Sequence, residues 1–237
     1  SDIKKWYKVT EKNGWKVAWI GCTSILCASC RRSLRAPEAM AQKQVLMCEH
    51  VPAMVSKLSQ DHDIDAIIVG AHWGVQFKDQ PKQSVIRLAK KILDSGATAI
   101  IGNHAHVMQP SLHYTTQDGR KAYATFSLGS LISGLGSWQA SKYKLRVSAV
   151  AFLRLSMNKE LGKAEVSDVK YVPICETWTE KNGVKLRQMK PTEFVPNGIC
   201  QDEENWAIHL LGREDFAKIS SLAPVYNLNE NVDNLAT

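Results

Sequence analysis

Three histidines carry the most chemical promise in this sequence, because each lies just beyond an apolar run. Ile67-Ile68-Val69-Gly70-Ala71 leads into His72-Trp73-Gly74, and Ile100-Ile101-Gly102-Asn103 leads into His104-Ala105-His106. Neutral imidazole is the commonest nitrogen ligand for zinc, manganese, iron or nickel. Crowded imidazoles without an ion or anion leave ring nitrogens to satisfy, which favours a bound guest over coincidence. His104 and His106, two residues apart, are expected to point to the same side of an extended turn. Gly70, Gly74 and Gly102 would let the backbone approach a bound phosphate closely. A single histidine elsewhere is more often a surface or packing residue, and His62, His113 and His209 are read that way.

For the three rings to meet, the two apolar runs must be neighbouring parallel strands. Asp65–Gly70 and Thr98–Gly102 both read as strands buried on both faces. Between them Pro81 opens a helix whose Val85, Leu88, Ala89 and Ile92 form one apolar stripe, and Gly96 closes it. Strand, helix and strand at this spacing make a right-handed βαβ unit. Ligands bind beyond the carboxyl ends of such strands, and neighbouring strands lie about 4.8 Å apart. Upstream, Trp15–Gly21 reads as a further strand, and Val51, Met54, Val55 and Leu58 share one face of a helix. Downstream, Lys121–Phe126, Arg146–Leu155 and Val166–Ile174 alternate and read as antiparallel hairpins. After Cys175 the pattern weakens: Thr177–Pro196 is polar around a Lys181-Asn182-Gly183 turn, Glu203–Leu211 suggests a short helix, and the Asn-rich tail from Asn227 is expected to be poorly ordered. The expected architecture is α/β, a parallel βαβ core followed by antiparallel β hairpins over residues 1–175. Residues 176–237 are expected to form an irregular extension packed on it.

With 237 residues, 44% hydrophobic and 22% charged, the chain falls outside the collagen-like, low-complexity and largely disordered classes. Its net charge of +7 suits acidic partners. The basic residues are scattered in short pairs such as Arg31-Arg32 and Lys90-Lys91, and no nucleic-acid module signature is present. No apolar run approaches the ~18–20 residues of a membrane helix. The sequence opens Ser1-Asp2 without an initiator methionine, which suggests that an upstream piece is missing. Of six cysteines, Cys27 and Cys30 form a C-x-x-C, followed by Cys48 and His50. A structural zinc on these four is one reading; the C-x-H spacing is unusual for a chelate, and free or disulfide-paired thiols are preferred.

The ordered motifs carry a resemblance. Asp65–Gly74, Pro81–Gly96, Ile101-Gly102-Asn103-His104-Ala105-His106-Val107-Met108-Gln109-Pro110 and Phe126-Ser127-Leu128-Gly129-Ser130 resemble the HWG-x-E, GHHPHV and YSLGN signatures of the CapA family. These are bacterial poly-γ-glutamate capsule biosynthesis proteins built on the calcineurin-like metallophosphoesterase fold. The resemblance spans roughly Asn13 to Ile174. It implies a metallophosphatase-like four-layer αββα sandwich, partial in this chain. It also implies a centre of two divalent ions (manganese, zinc or iron), with His72, His104 and His106 as ligands and Trp73 and Asn103 close to metal or substrate. Ser127–Ser130 would line the far side. The implied activity is hydrolysis of an anionic substrate, a phosphoester or γ-glutamyl polymer, in capsule biosynthesis or export. An extracytoplasmic or membrane-associated place follows, with an N-terminal piece or export-complex subunits as partners. Gln76, Asn103, Ala105 and Ser130 stand where the family has Glu, His, Pro and Asn. Upstream of His72 there is no D-x-H, Gly-Asp or Asn-His block, so the chain is expected to be the C-terminal portion of the domain, supplying histidines without carboxylates. The alternatives are a catalytically inactive scaffold in an envelope polymer export assembly, and a zinc module at Cys27, Cys30, Cys48 and His50.

Overall fold

The computed structural model describes residues 6–25, 45–131, 145–195 and 200–222. In it strands β1 (Tyr7–Lys12), β2 (Trp15–Thr23), β3 (Ala66–His72), β4 (Ala99–Asn103), β5 (Ser111–Thr115) and β6 (Lys121–Thr125) form one sheet, ordered β1-β2-β3-β4-β6-β5. Strands β2, β3, β4 and β6 are parallel, and β1 and β5 add antiparallel edges. Helices α1 (Val51–Leu58) and α2 (Gln83–Asp94) lie in the crossovers on either side of β3. A second sheet holds β7 (Val147–Asn158), β8 (Lys163–Lys181) and β9 (Val184–Pro191), all antiparallel, followed by α3 (Gln201–Leu211) and the single turn α4 (Ile219–Leu222).

Alternation along each strand sorts its side chains between layers. Ile67, Val69 and Ala71 of β3 pack with Val55, Leu58, Ala89 and Ile92 of the two helices. Ile68 turns the other way, to meet Val166 and Val169 of β8 together with Ala99 and Tyr123. On the second sheet Val172 and Ile174 pack against Ala217, Ile219 and Leu222 around α4. The layers therefore run helix, sheet, sheet and a short outer helix. The expected α/β class, with a parallel βαβ core followed by antiparallel hairpins, is the one observed.

Three expectations need correcting. Lys121–Phe126 is not only a hairpin strand: β6 pairs antiparallel with β5 and parallel with β4. Ala122, Tyr123, Ala124 and Thr125 are all buried, which is what a strand covered on both faces requires. The second helix starts at Gln83, two residues after Pro81. Nor is the segment after Cys175 irregular where it is described. β8 runs unbroken through that position to Lys181 and returns as β9 through Asn182 and Gly183, at φ 53° and 75°. Two left-handed residues joining antiparallel strands are the Asn-Gly turn that matches strand twist.

Cys22 is bonded to Cys48, and Cys175 to Cys200. Each bridge closes a loop of about 25 residues, worth roughly 3 kcal/mol by loop-closure entropy. Cys48 is thus no free thiolate for the four-ligand zinc reading. Its other members Cys27 and Cys30, like the Asn-rich tail, lie outside the described residues.

Candidate functional site

Parallel register brings the strand ends level. Thr23 of β2 pairs with His72 of β3, and His72 with Asn103 of β4. Beyond them two loops are laced together, Trp73 N–H donating to Asn103 O (3.2 Å) and Phe77 N–H to Ala105 O (2.8 Å). Ring centroids of His72 and His104 are 4.5 Å apart, edge to face, and those of His104 and His106 are 6.4 Å apart. All three predicted imidazoles are therefore brought to one place.

Their tautomers follow from their partners. His72 Nδ1 lies 2.8 Å from Asn103 Oδ1, an acceptor, so Nδ1 carries the hydrogen and Nε2 keeps its lone pair. His106 Nδ1 lies 2.8 Å from Ser130 Oγ, whose own hydrogen points to His106 O at 3.4 Å. Ser130 thus accepts from Nδ1, and His106 also keeps an Nε2 lone pair. The Phe77 ring stacks on His106 at 5.9 Å between centroids. Burial first, and then the neighbouring charges of His72 and His106, lower the pKa of His104. Burial and then His72 do the same for His106. Both are held toward the neutral form that can donate a lone pair.

The segment carrying His104 and His106 is not the extended turn expected. Its φ values are 96° at His104 and 62° at His106, both left-handed. Non-glycine residues there cost on the order of 1–3 kcal/mol each and concentrate at functional sites. Asn103 is exposed and spends its oxygen on His72. Trp73, expected near substrate, is instead 1% exposed, and its Nε1–H donates to Phe126 O at 3.1 Å. It forms the floor beneath the histidines. That floor depends on Gly102, where a Cβ would sit 2.6 Å from both Thr125 O and Trp73 Nε1, and closer still to Phe126 O. Gly102→Ala should therefore cost about 1–3 kcal/mol by overpacking. A melting temperature lower by roughly 3–10 °C, with a shifted tryptophan emission, is the expected reading.

Two imidazoles oriented by oxygens on Nδ1, with a third ring between them, gather nitrogen donors at the strand ends without the mutual geometry of a closed metal site. They do not provide a carboxylate bridge for two ions. Among the described residues no group of three or more His, Cys, Asp or Glu side chains has metal-holding geometry. Sequence reasoning placed Ser130 only as loop lining, and passed over Phe77 and Thr23. The Phe126–Ser130 motif was the available signal for Ser130; nothing local marked the other two.

The family described as bacterial capsule synthesis protein PGA_cap matches residues 2–135. The chain belongs to this capsule synthesis family. A relative, capsule biosynthesis protein CapA of Bacillus anthracis, is 26% identical over 147 residues, covering 60% of this chain and 34% of the relative. PGA biosynthesis protein CapA of Bacillus subtilis (strain 168) is 27% identical over 169 residues, 71% of this chain and 40% of the relative. The chain thus spans well under half the length of these curated relatives. Among solved structures, Haemophilus influenzae NAD nucleotidase (NadN) overlays with a TM-score of 0.41 at 14% identity, over 95% of this chain and 42% of that one. A hypothetical protein from Thermus thermophilus overlays with a TM-score of 0.36 at 12% identity, over 78% of this chain and 62% of that one. No helix among the described residues is long and apolar enough to cross a membrane.

Proposed function

We propose that this chain carries the imidazole face of a divalent-metal site in a hydrolase that acts on an anionic substrate, a phosphoester or a γ-glutamyl polymer, during capsule biosynthesis. One observation supports this most: His72 and His106 each spend Nδ1 on a side-chain oxygen, keeping Nε2 free, with His104 between them. His72, His104 and His106 would hold zinc, manganese or iron, which when bound polarises a phosphoryl or acyl oxygen and acidifies a water. Asn103 and Ser130 orient the outer rings, and Trp73 supports the loop. Carboxylates for a second ion would come from polypeptide outside this chain. The net charge of +7 suits an acidic substrate, and the two disulfides suit an oxidising, extracytoplasmic setting.

The absence of a metal-holding cluster among the described residues favours a second reading, an inactive scaffold in an envelope export assembly. Metal analysis separates the two. After equilibration with zinc or manganese and desalting, the chain should retain about one ion, and His72→Ala should retain none. Equal, background-level metal in both proteins would leave the scaffold reading standing.

A further inference from the structure

Gln109 stands three residues after His106, in the motif that carries the histidines. It is among the largest side chains that the protein buries completely, 1% exposed. A buried primary amide has to spend its polar atoms, so the place where it spends them is informative. Its Nε2–H donates to Lys78 O at 2.7 Å, across 31 residues of sequence. A carbonyl can only accept, which fixes the nitrogen on that side of the amide. Its backbone N–H donates to Ser127 O at 2.9 Å.

These two bonds lead to the two partners of His106. Lys78 follows Phe77, whose ring stacks on the His106 ring. Phe77 is left-handed at φ 62°, a backbone that a bulky residue keeps only where its surroundings hold it. The holds bracket it: Ala105 O takes the N–H of Phe77, and Gln109 takes the carbonyl one residue further on. Ser127 leads the other way, to Ser130, which accepts from His106 Nδ1. There Met108 and Leu128 form an antiparallel bridge beside the Gln109 bond, and Gly129 N–H turns back onto Ser127 Oγ at 3.3 Å. One loop lies before His106 in the sequence and the other after it, and both hang from the same residue.

We propose that Gln109 is a positioning residue for the imidazole site. Its side chain sets Phe77 over the face of the His106 ring, and its backbone N–H sets the loop whose Ser130 holds the ring edge. With face and edge both fixed, the Nε2 lone pair of His106 keeps one direction. The side chain is the part that a substitution can remove. Without its N–H, Lys78 O loses its donor, the turn at 77–78 is released, and the stack on His106 goes with it. The consequence for a metal rests on the function proposed above; the positioning of the ring does not.

The test uses the whole chain, metal-free, with isotope-labelled histidine read by NMR. Phe77→Leu first marks the His106 ring signals that carry the Phe77 ring current. Gln109→Met, close in volume but without the N–H, should move those signals most of the way to their Phe77→Leu positions. His72, held by Asn103, should stay put. Gln109→Asn, which keeps the amide but falls one methylene short of Lys78 O, replaces the methionine variant if that one does not fold. In competition for zinc, the Gln109 variant should bind about ten-fold more weakly. Adding Phe77→Leu to it should weaken binding no further than the larger single change, because the two act through one contact. Four results would each overturn the proposal: unchanged His106 signals, His72 and His106 signals displaced alike by general loosening, additive losses in the double variant, or failure of both Gln109 variants to fold. A wild-type chain that binds no zinc would overturn the metal reading instead, and the ring signals would still decide the role of Gln109.

Discussion

Arg120→Ala should lower the unfolding free energy by about 3–5 kcal/mol, because it empties a buried side-chain site and leaves two carbonyl oxygens without their donor. For a chain of this size that corresponds to a melting temperature lower by roughly 6–20 °C. Arg120 is 2% exposed. Its Nε donates to both Asp118 oxygens (3.1 and 3.0 Å), while its two terminal nitrogens donate to Ala97 O (3.2 Å) and Leu93 O (3.0 Å). One guanidinium therefore closes the carboxyl end of α2 and fastens it to the turn between β5 and β6. Lysine lacks the fork, so Arg120→Lys should recover only part of the loss. Burial pushes the Asp118 carboxyl upward, but hydrogen bonds from Thr116, Lys163 and Arg120 outweigh it and hold the group well below the usual carboxylate range. A depressed folded pKa gives stability that is present above the unfolded value and lost as pH falls. Wild-type stability should therefore decline below about pH 4. In Arg120→Ala that acid decline should be shallower, as chemical denaturation across pH would show.

Why the βαβ core was legible and the rest less so follows from the period of each signal. The stripe Val85, Leu88, Ala89, Ile92 and the runs Ile67–Val69 and Ala99–Ile101 state both element and neighbour, since a crossover this short fixes parallel pairing. Lys121–Thr125 states only a strand: alternation does not say which partner it takes, and its parallel bond to β4 depends on β5 turning back at the sheet edge. Strand β9 was hidden because its alternating apolar residues Val184 and Leu186 are exposed while Met189, out of that rhythm, packs against the Val172 and Ile174 cluster; the Asn182-Gly183 turn was visible, but its two arms were not. At the site, the strand-end histidines were readable from position alone. Their partners were not, because Ser130 and Phe77 reach His106 from loops 24 and 29 residues away on either side. The left-handed backbone at His104 and His106 carries no signal in residues that ordinarily avoid it. Disulfide pairing was equally silent, since spacing does not choose among six cysteines.

That backbone supplies the sharpest separation of a functional from a structural role. His104→Gly should change folding stability by no more than about 1 kcal/mol, since relief at φ 96° offsets the entropy of glycine. The same substitution should weaken zinc binding by ~100-fold or more, beyond the loss from any outer partner. Asn103→Ala and Ser130→Ala, which leave all three rings in place but unfasten His72 or His106, should weaken it by about 10–100-fold. Competition with a chromophoric chelator, set beside thermal melts, measures both quantities on the same samples. If His104 were present for packing, the glycine variant would lose stability by more than about 2 kcal/mol while zinc affinity stayed put. On the proposed metal reading the outcome is the reverse, with zinc affinity lost and stability held, because relief of the left-handed backbone at His104 offsets what glycine costs.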